Sequence, residues 1–173
     1  MMAPAQPEVW LRGPLPGVPP LLQPIAHALL QAREELSAAL HEFPDALLPA
    51  RPAGVASVGF HLRHLSGVLD RMQTYARAQP LNEAQLAYLA AEHNGPTPPE
   101  STAVLLGRFS AAVEQLLGLL RATPERTLPD FRPVGRQALP STLIGLLVHA
   151  AEHTTRHVGQ LLVTARVVQA GLR

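Results

Sequence analysis

An all-α fold, a four-helix bundle, is predicted by three observations. Four long stretches carry apolar residues at helical spacing, the strand signal is negligible, and the 173-residue length suits one domain with a single core. The first 20 residues hold six prolines. They predict an extended arm (residues 1–20) ahead of one helical domain (residues 21–173), and the lone Trp10 within the arm suggests that it packs on the body.

The first helix is expected over residues 21–43, with Leu22, Ile25, Ala26, Leu29, Leu36 and Leu40 on one stripe and Pro44 ending it. The second is expected over residues 54–78, with its stripe on Val58, Leu62, Leu65, Leu69, Met72 and Ala76. For the third, "TPPE" reads as Thr97 N-cap, Pro98 first helical residue and Glu100 closing a capping box. Its apolar face runs from Leu105 through Leu106, Phe109, Val113, Leu116 and Leu117 to Leu120. The fourth starts after Pro140 with Ser141 as N-cap and ends near Gly171, a residue suited to a C-terminal cap.

Connections set the expected topology. The short link between helices one and two suggests antiparallel neighbours. The longer link between helices two and three carries a short helix of its own over residues 82–93. It has the length to run back along a helix of about 36 Å, so an up-down-down-up order is expected. The segment 123–140, "TPERTLPDFRPVGRQALP", is either a lid or binding loop or a surface wrap without a role.

Composition excludes several classes of chemistry. Apolar residues make up 47%, charged residues 16%, and the net charge is +1, without the basic clustering that a nucleic-acid surface requires. With no Cys, there is no disulfide, thiolate metal site or thiol nucleophile from the chain. All 14 basic residues are Arg, which removes Schiff-base and P-loop lysine chemistry. The N-terminus does not read as a signal peptide, and the most apolar segment, "LPSTLIGLLVHAA", falls short of the ~20 residues that span a bilayer. A soluble, cytoplasmic protein without a membrane partner is expected.

The chemistry concentrates in "HAAEHTTRHVGQ", where His149, His153 and His157 follow at steps of four. Two histidines four apart on a helix can reach one metal. With about 100° per residue, His153 and His157 fall on the flank of a core stripe comprising Leu143, Ile144, Leu147, Ala151, Thr155, Val158, Leu162 and Ala165. His149 leans towards water beside the Glu152–Arg156 pair. "FHLRHL" on helix two adds His61 and His64, where a second helix could present a third ligand. Periodicity places His61 nearer the centre of its stripe than His64 and does not choose between them.

His149-x-x-Glu152-His153 also matches an inverted zinc-peptidase motif, but no Asp or Glu follows Glu152 to complete it. A ferritin-like di-iron site fails because paired Glu-x-x-His motifs are missing.

The stretches "SVGFHLRHLSGVLDRMQTYARAQPLNEAQL" and "LLVHAAEHTTRHVGQL" resemble the DinB-like (YfiT-like) metal-binding four-helix-bundle family over roughly residues 50–165. The family's His-x-x-x-His followed by x-Gly-Gln is matched by His153, His157, Gly159 and Gln160, and its helix-two histidine by His64. The resemblance implies a metal triad of His64, His153 and His157. Val158 departs from the Arg that many members carry there. His61, His149, Gln160 and His27 are expected around the ligands or in the pocket.

Three neutral imidazoles leave a divalent ion with its full charge and an open position, a catalytic rather than a closed structural pattern. Zinc is the default ion, with nickel, cobalt or iron as alternatives. The resemblance implies a transferase or isomerase using a low-molecular-weight thiol of the bacillithiol or mycothiol type against a small electrophile. Arg63, Arg71, Arg132 and Arg136 are candidates for binding its acidic groups. Two other readings are a hydrolase using metal-bound hydroxide and a non-catalytic stress-response bundle braced by its metal. No catalytic acid or base is singled out, the partner expected is a small molecule, and the family resemblance suggests a homodimer.

Overall fold

The computed structural model describes residues 6–171. Residues 1–5 of the expected arm and 172–173 of the expected domain lie outside that range. Five α-helices follow one another: α1 (Gln23–Ala39), α2 (Val58–Ala76), α3 (Glu83–Ala91), α4 (Thr102–Ala122) and α5 (Leu143–Ala170). The described residues contain no strand, only two isolated bridges in the α4–α5 connection. The fold is therefore an all-α bundle of four long helices, with α3 as the short extra helix between α2 and α4.

The apolar stripes become the core. Leu22, Ala26, Leu29, Leu36 and Leu40 of the first stretch are wholly buried, and they meet Val58, Leu62, Leu65 and Leu69 from α2. Leu105, Phe109, Val113, Leu116 and Leu120 complete the α4 face, while Leu147, Val158 and Leu161 do so for α5. Met72 is only partly buried. Burying each such side chain contributes roughly 1.5–3 kcal/mol, enough in sum to override weak local preferences at the helix ends.

Hydrogen bonds give the directions. The Thr102 N–H, at the start of α4, donates to Asp45 just beyond α1, and the Leu21 N–H, just before α1, donates to Glu125 beyond the end of α4. These two helices are antiparallel. So are α2 and α5, since His61 faces His157 while His64 faces His153. Ser66, Gly67 and Asp70 of α2 line one cleft with Arg108, Ala112 and Gln115 of α4.

Two sequence expectations about connectivity are corrected. α1 packs against α5 and α4, and α2 packs against α5, α4 and α3, so α1 and α2 face each other across the diagonal instead of lying side by side. A short link fixes which helix ends stay close, not which apolar faces meet. The third long helix begins at Thr102 rather than Pro98, with the Ser101 hydroxyl accepting from the Val104 N–H. Pro99 explains the shift, because a residue preceding proline is pushed out of helical backbone. Glu100 closes no capping box and pairs with Arg108 instead.

Other ends differ by smaller steps. α1 stops at Ala39, since Phe43 precedes Pro44 and the chain turns before reaching it. Thr142, not Ser141, caps α5 by accepting from the Gly145 N–H. Gly171 follows α5 in right-handed backbone, with φ −69°. α3 starts with an Asn82–Gln85 capping box and leads the chain back along α2 through Gln85–Asp70 and Tyr88–Arg63 hydrogen bonds. α4 is itself long and apolar enough to cross a membrane, contrary to the sequence reading, and its most apolar face is the one buried in the bundle.

The arm lies along α1. The Val9 N–H donates to Gln31, Arg12 forms a two-pronged pair with Glu34, and Val9 is 3% exposed. Trp10 does not make this contact: it is 61% exposed and donates to Glu8. Segment 123–140 packs at the opposite end of α2 from the histidines, where Arg132 donates to the Ala76 carbonyl and the Ile144 N–H to Leu128. With Ala76 twelve residues beyond His64, or about 18 Å of helix, this segment does not cover the site.

Candidate metal centre

The buried face of α5 comprises Leu146, Ala150, Thr154, Leu161 and Thr164 besides Leu143, Leu147 and Val158. It is rotated towards the histidines from the stripe drawn on sequence, and Thr155 is exposed. This rotation turns His153 and His157 inward against α2, one turn apart. His64 approaches from α2, whose N-terminal turn is fixed by the Ser57 hydroxyl accepting from the Phe60 N–H.

One ring nitrogen each from His64, His153 and His157 lies within 4.8 Å of the other two, and all three residues are half-buried. The His64 and His153 Nε2 atoms stand 2.9 Å apart, and the His157 ring centroid is 4.5 Å from those of both His64 and His153. Among the described residues, no carboxylate joins the three nitrogens.

Glu92, which sequence reasoning missed, lies beside this centre. It immediately follows α3, is 3% exposed, and accepts at 2.7 Å from His64 Nδ1–H and at 2.6 Å from Arg71. That bond leaves His64 Nε2 as the nitrogen with a lone pair directed at the cluster. Burial alone would raise the Glu92 carboxyl, but the hydrogen bonds from His64 and Arg71 outweigh it and hold its pKa below the ordinary value. Gly67 makes room for the pair: a Cβ there would stand 2.4 Å from Glu92 Oε1 and 2.7 Å from Arg71 Nη1. The available signal was a glycine and an arginine one turn apart on the apolar second helix.

The remaining predicted residues separate clearly. His61 is buried, with Nδ1 3.0 Å from His157 Nδ1, so it backs a candidate ligand. Burial and the nearby His64 charge push the pKa of His61 down to about 4; burial, with His64, His153 and His61 around it, does the same to His157. Burial likewise lowers His153, with His64 adding to the effect. His61, His153 and His157 are therefore neutral near pH 7, the state in which the last two can bind a metal. His149 is exposed and pairs with Glu152, which also binds Arg156, so Glu152 has no part in the cluster.

His27 does not line this site; it sits near the start of α1 with Nε2 3.2 Å from the Gly13 carbonyl of the arm. Gln160 is exposed and borders a cleft of about 500 Å³ with Val55, Ala56, His61, Gly159 and Val163. Of the four candidate arginines, Arg71 is committed to Glu92 and Arg132 to the far end of the bundle. Arg136 lies in segment 123–140, and Arg63 stands one residue before His64.

The centre suits a divalent cation. Tetrahedral zinc with bonds of about 2.0–2.1 Å places two donors about 3.3 Å apart, a spacing between the 2.9 Å pair and the 4.8 Å limit seen here. His153 Nδ1 is buried without a hydrogen-bond partner, and its Nε2 meets only another imidazole. A cation at the cluster would take up the lone pair of that Nε2.

Fold and site together define a helical bundle with a three-histidine cluster that could hold a metal ion. The chain belongs to the DinB superfamily, whose family model matches residues 28–161 and so includes all three histidines. No curated protein matches it.

Proposed function

We propose that this protein is a metal-dependent transferase acting on small electrophiles with a low-molecular-weight thiol, and that His64, His153 and His157 hold its divalent ion, zinc first. The observation that carries this reading is the convergence of three imidazoles, from two antiparallel helices, with no carboxylate among the converging nitrogens. When bound, the ion supplies positive charge and an open position that favour a thiolate over a thiol.

The chain's own residues do the rest. Glu92 holds the His64 ring in one tautomer, and His61 supports His157 from behind. The cleft next to His61 offers a small molecule a mainly apolar wall. Because the chain has no Cys, the thiol must arrive as a co-substrate.

The test is to load the protein with metal, confirm its content, and assay a panel of electrophiles with bacillithiol, mycothiol and related thiols. Thiol-dependent turnover that is lost in His153→Ala is the expected result. Turnover in water without thiol would move the assignment to hydrolysis. No turnover, with His153→Ala costing only stability, would reduce the metal to a brace. A cytoplasmic homodimer belongs to the same proposal, and light scattering of the purified protein tests the dimer.

A further inference from the structure

Around the N-terminal end of α2 lies a small cavity of about 70 Å³, open to solvent on one side through exposed Arg51, His93 and Asn94 and walled deeper by Ser57, Phe60 and Arg63. No carboxylate contributes to that wall. A volume of this size holds about two waters or one small oxyanion. Its chemistry is that of donors: two guanidinium groups, an imidazole, an amide and a hydroxyl.

Arg63 is the unusual member. Its Nε donates at 3.0 Å to the Glu92 carbonyl. Among the described residues, its two Nη groups have neither a hydrogen-bond partner nor a carboxylate. The side chain is half-buried, and its guanidinium lies against Gly95, where a Cβ would stand 2.8 Å from Nη1 and 2.9 Å from Cζ. Gly95 has φ +69°, a backbone conformation that suits glycine. A guanidinium fixed by its stem, with its fork left open, is prepared for a planar or tetrahedral oxyanion.

Neighbouring acids do not fill that role. Asp45 and Glu100 border the adjoining cleft on the other side of Arg63, where Asp45 accepts from the Thr102 N–H and Glu100 pairs with Arg108. The cavity also adjoins the metal cluster. His93 stacks on Phe60 at 4.5 Å and Phe60 on His64 at 5.2 Å, so one ring separates the cavity from a candidate ligand. Ala56 borders both this cavity and the cleft beside His61.

We infer that Arg63, with Arg51 and His93, binds a carboxylate or phosphate group of a small molecule whose remaining body extends past Ala56 towards the histidines. The anion site stands on its own geometry, while its service to catalysis rests on the function proposed above.

Calorimetric titration of the full chain tests it, using inorganic phosphate and, separately, succinate at constant ionic strength. Metal-loaded and chelator-treated protein are compared, with metal content measured in each. Saturable binding of at least one anion is expected in both forms, with the tighter of the two identifying the group preferred. Arg63→Met should weaken that binding at least about tenfold, the effect of losing a two-pronged charged hydrogen bond, while leaving metal content unchanged.

The inference is overturned if neither anion binds saturably, or if Arg63→Met binds as tightly as the parent. It is also overturned if binding occurs only in the loaded protein and ignores Arg63, since the anion would then sit on the metal. Should Arg63→Met not fold, Arg63→Lys and Arg51→Met decide, and undiminished binding in both overturns it. A parent protein that takes up no metal yet binds the anion through Arg63 would refute the metal reading alone.

Discussion

Glu92 Oε2 accepts from His64 Nδ1 at 2.7 Å while its other oxygen accepts from Arg71 at 2.6 Å, so one buried carboxylate joins a candidate metal ligand to a buried cation. Replacing it by Gln removes the charge and nearly preserves the shape. Glu92→Gln is expected to weaken metal binding by roughly 10- to 100-fold, the usual effect of disturbing a partner that orients a ligand. Competition with a chromophoric chelator measures this. An affinity equal to that of the parent would remove Glu92 from the site.

Single substitution of His64, His153 or His157 by Ala should reduce bound metal from about one ion per chain to near zero. His149→Ala and His27→Ala should leave it unchanged, since His149 faces Glu152 at the surface and His27 faces the arm. Elemental analysis after desalting reads the outcome. Full metal content in any triad variant would disprove the ligand set.

Acid should destabilise the metal-free protein in a defined window. His61 and His157 have folded pKa values near 4, against about 6.5 in an unfolded chain. Between these values the unfolded state binds protons that the folded state refuses, so stability falls as pH drops from about 6.5 towards 4 and is unaffected by these groups above it. Tm of the chelator-treated protein should follow this course, and His61→Gln should flatten it. A Tm independent of pH across that range would contradict the burial of these rings.

Two glycines on long helices should respond oppositely to Ala. Gly67→Ala would place a methyl against Glu92, Arg71 and Tyr88. A cost of about 1–3 kcal/mol is expected from such overpacking, along with weaker metal binding as Glu92 is displaced. Gly159→Ala meets nothing within 4 Å, and should gain up to about 1 kcal/mol from helix propensity. Denaturant midpoints compare the two, and a stabilised Gly67→Ala would show that the Glu92–Arg71 packing is loose.

How far the sequence could be read varied with the range of the forces involved. Stripes such as Val58, Leu62, Leu65 and Leu69 register locally, because apolar side chains at helical spacing have one economical way to leave water. The spacing of His153 and His157 was legible for the same reason, whereas His64 was selected over His61 only through family resemblance. Glu92 was not legible: it meets His64 across 28 residues, and nothing around it marks it for burial. The diagonal placement of α1 and α2 was hidden too, since it follows from how four apolar faces fit together. At "TPPE" two signals conflict in the sequence itself, for Pro99 forbids the helix start that Pro98 invites.

The outward-facing Trp10 has a practical consequence for anyone following the unfolding of this molecule. It is the only indole in the chain and already meets solvent in the native fold. Its emission should therefore be red-shifted from the outset and should track detachment of the peripheral segment from α1. Loss of the helical interior is better followed by far-ultraviolet circular dichroism, and a mismatch between the two signals would report the segment peeling away first.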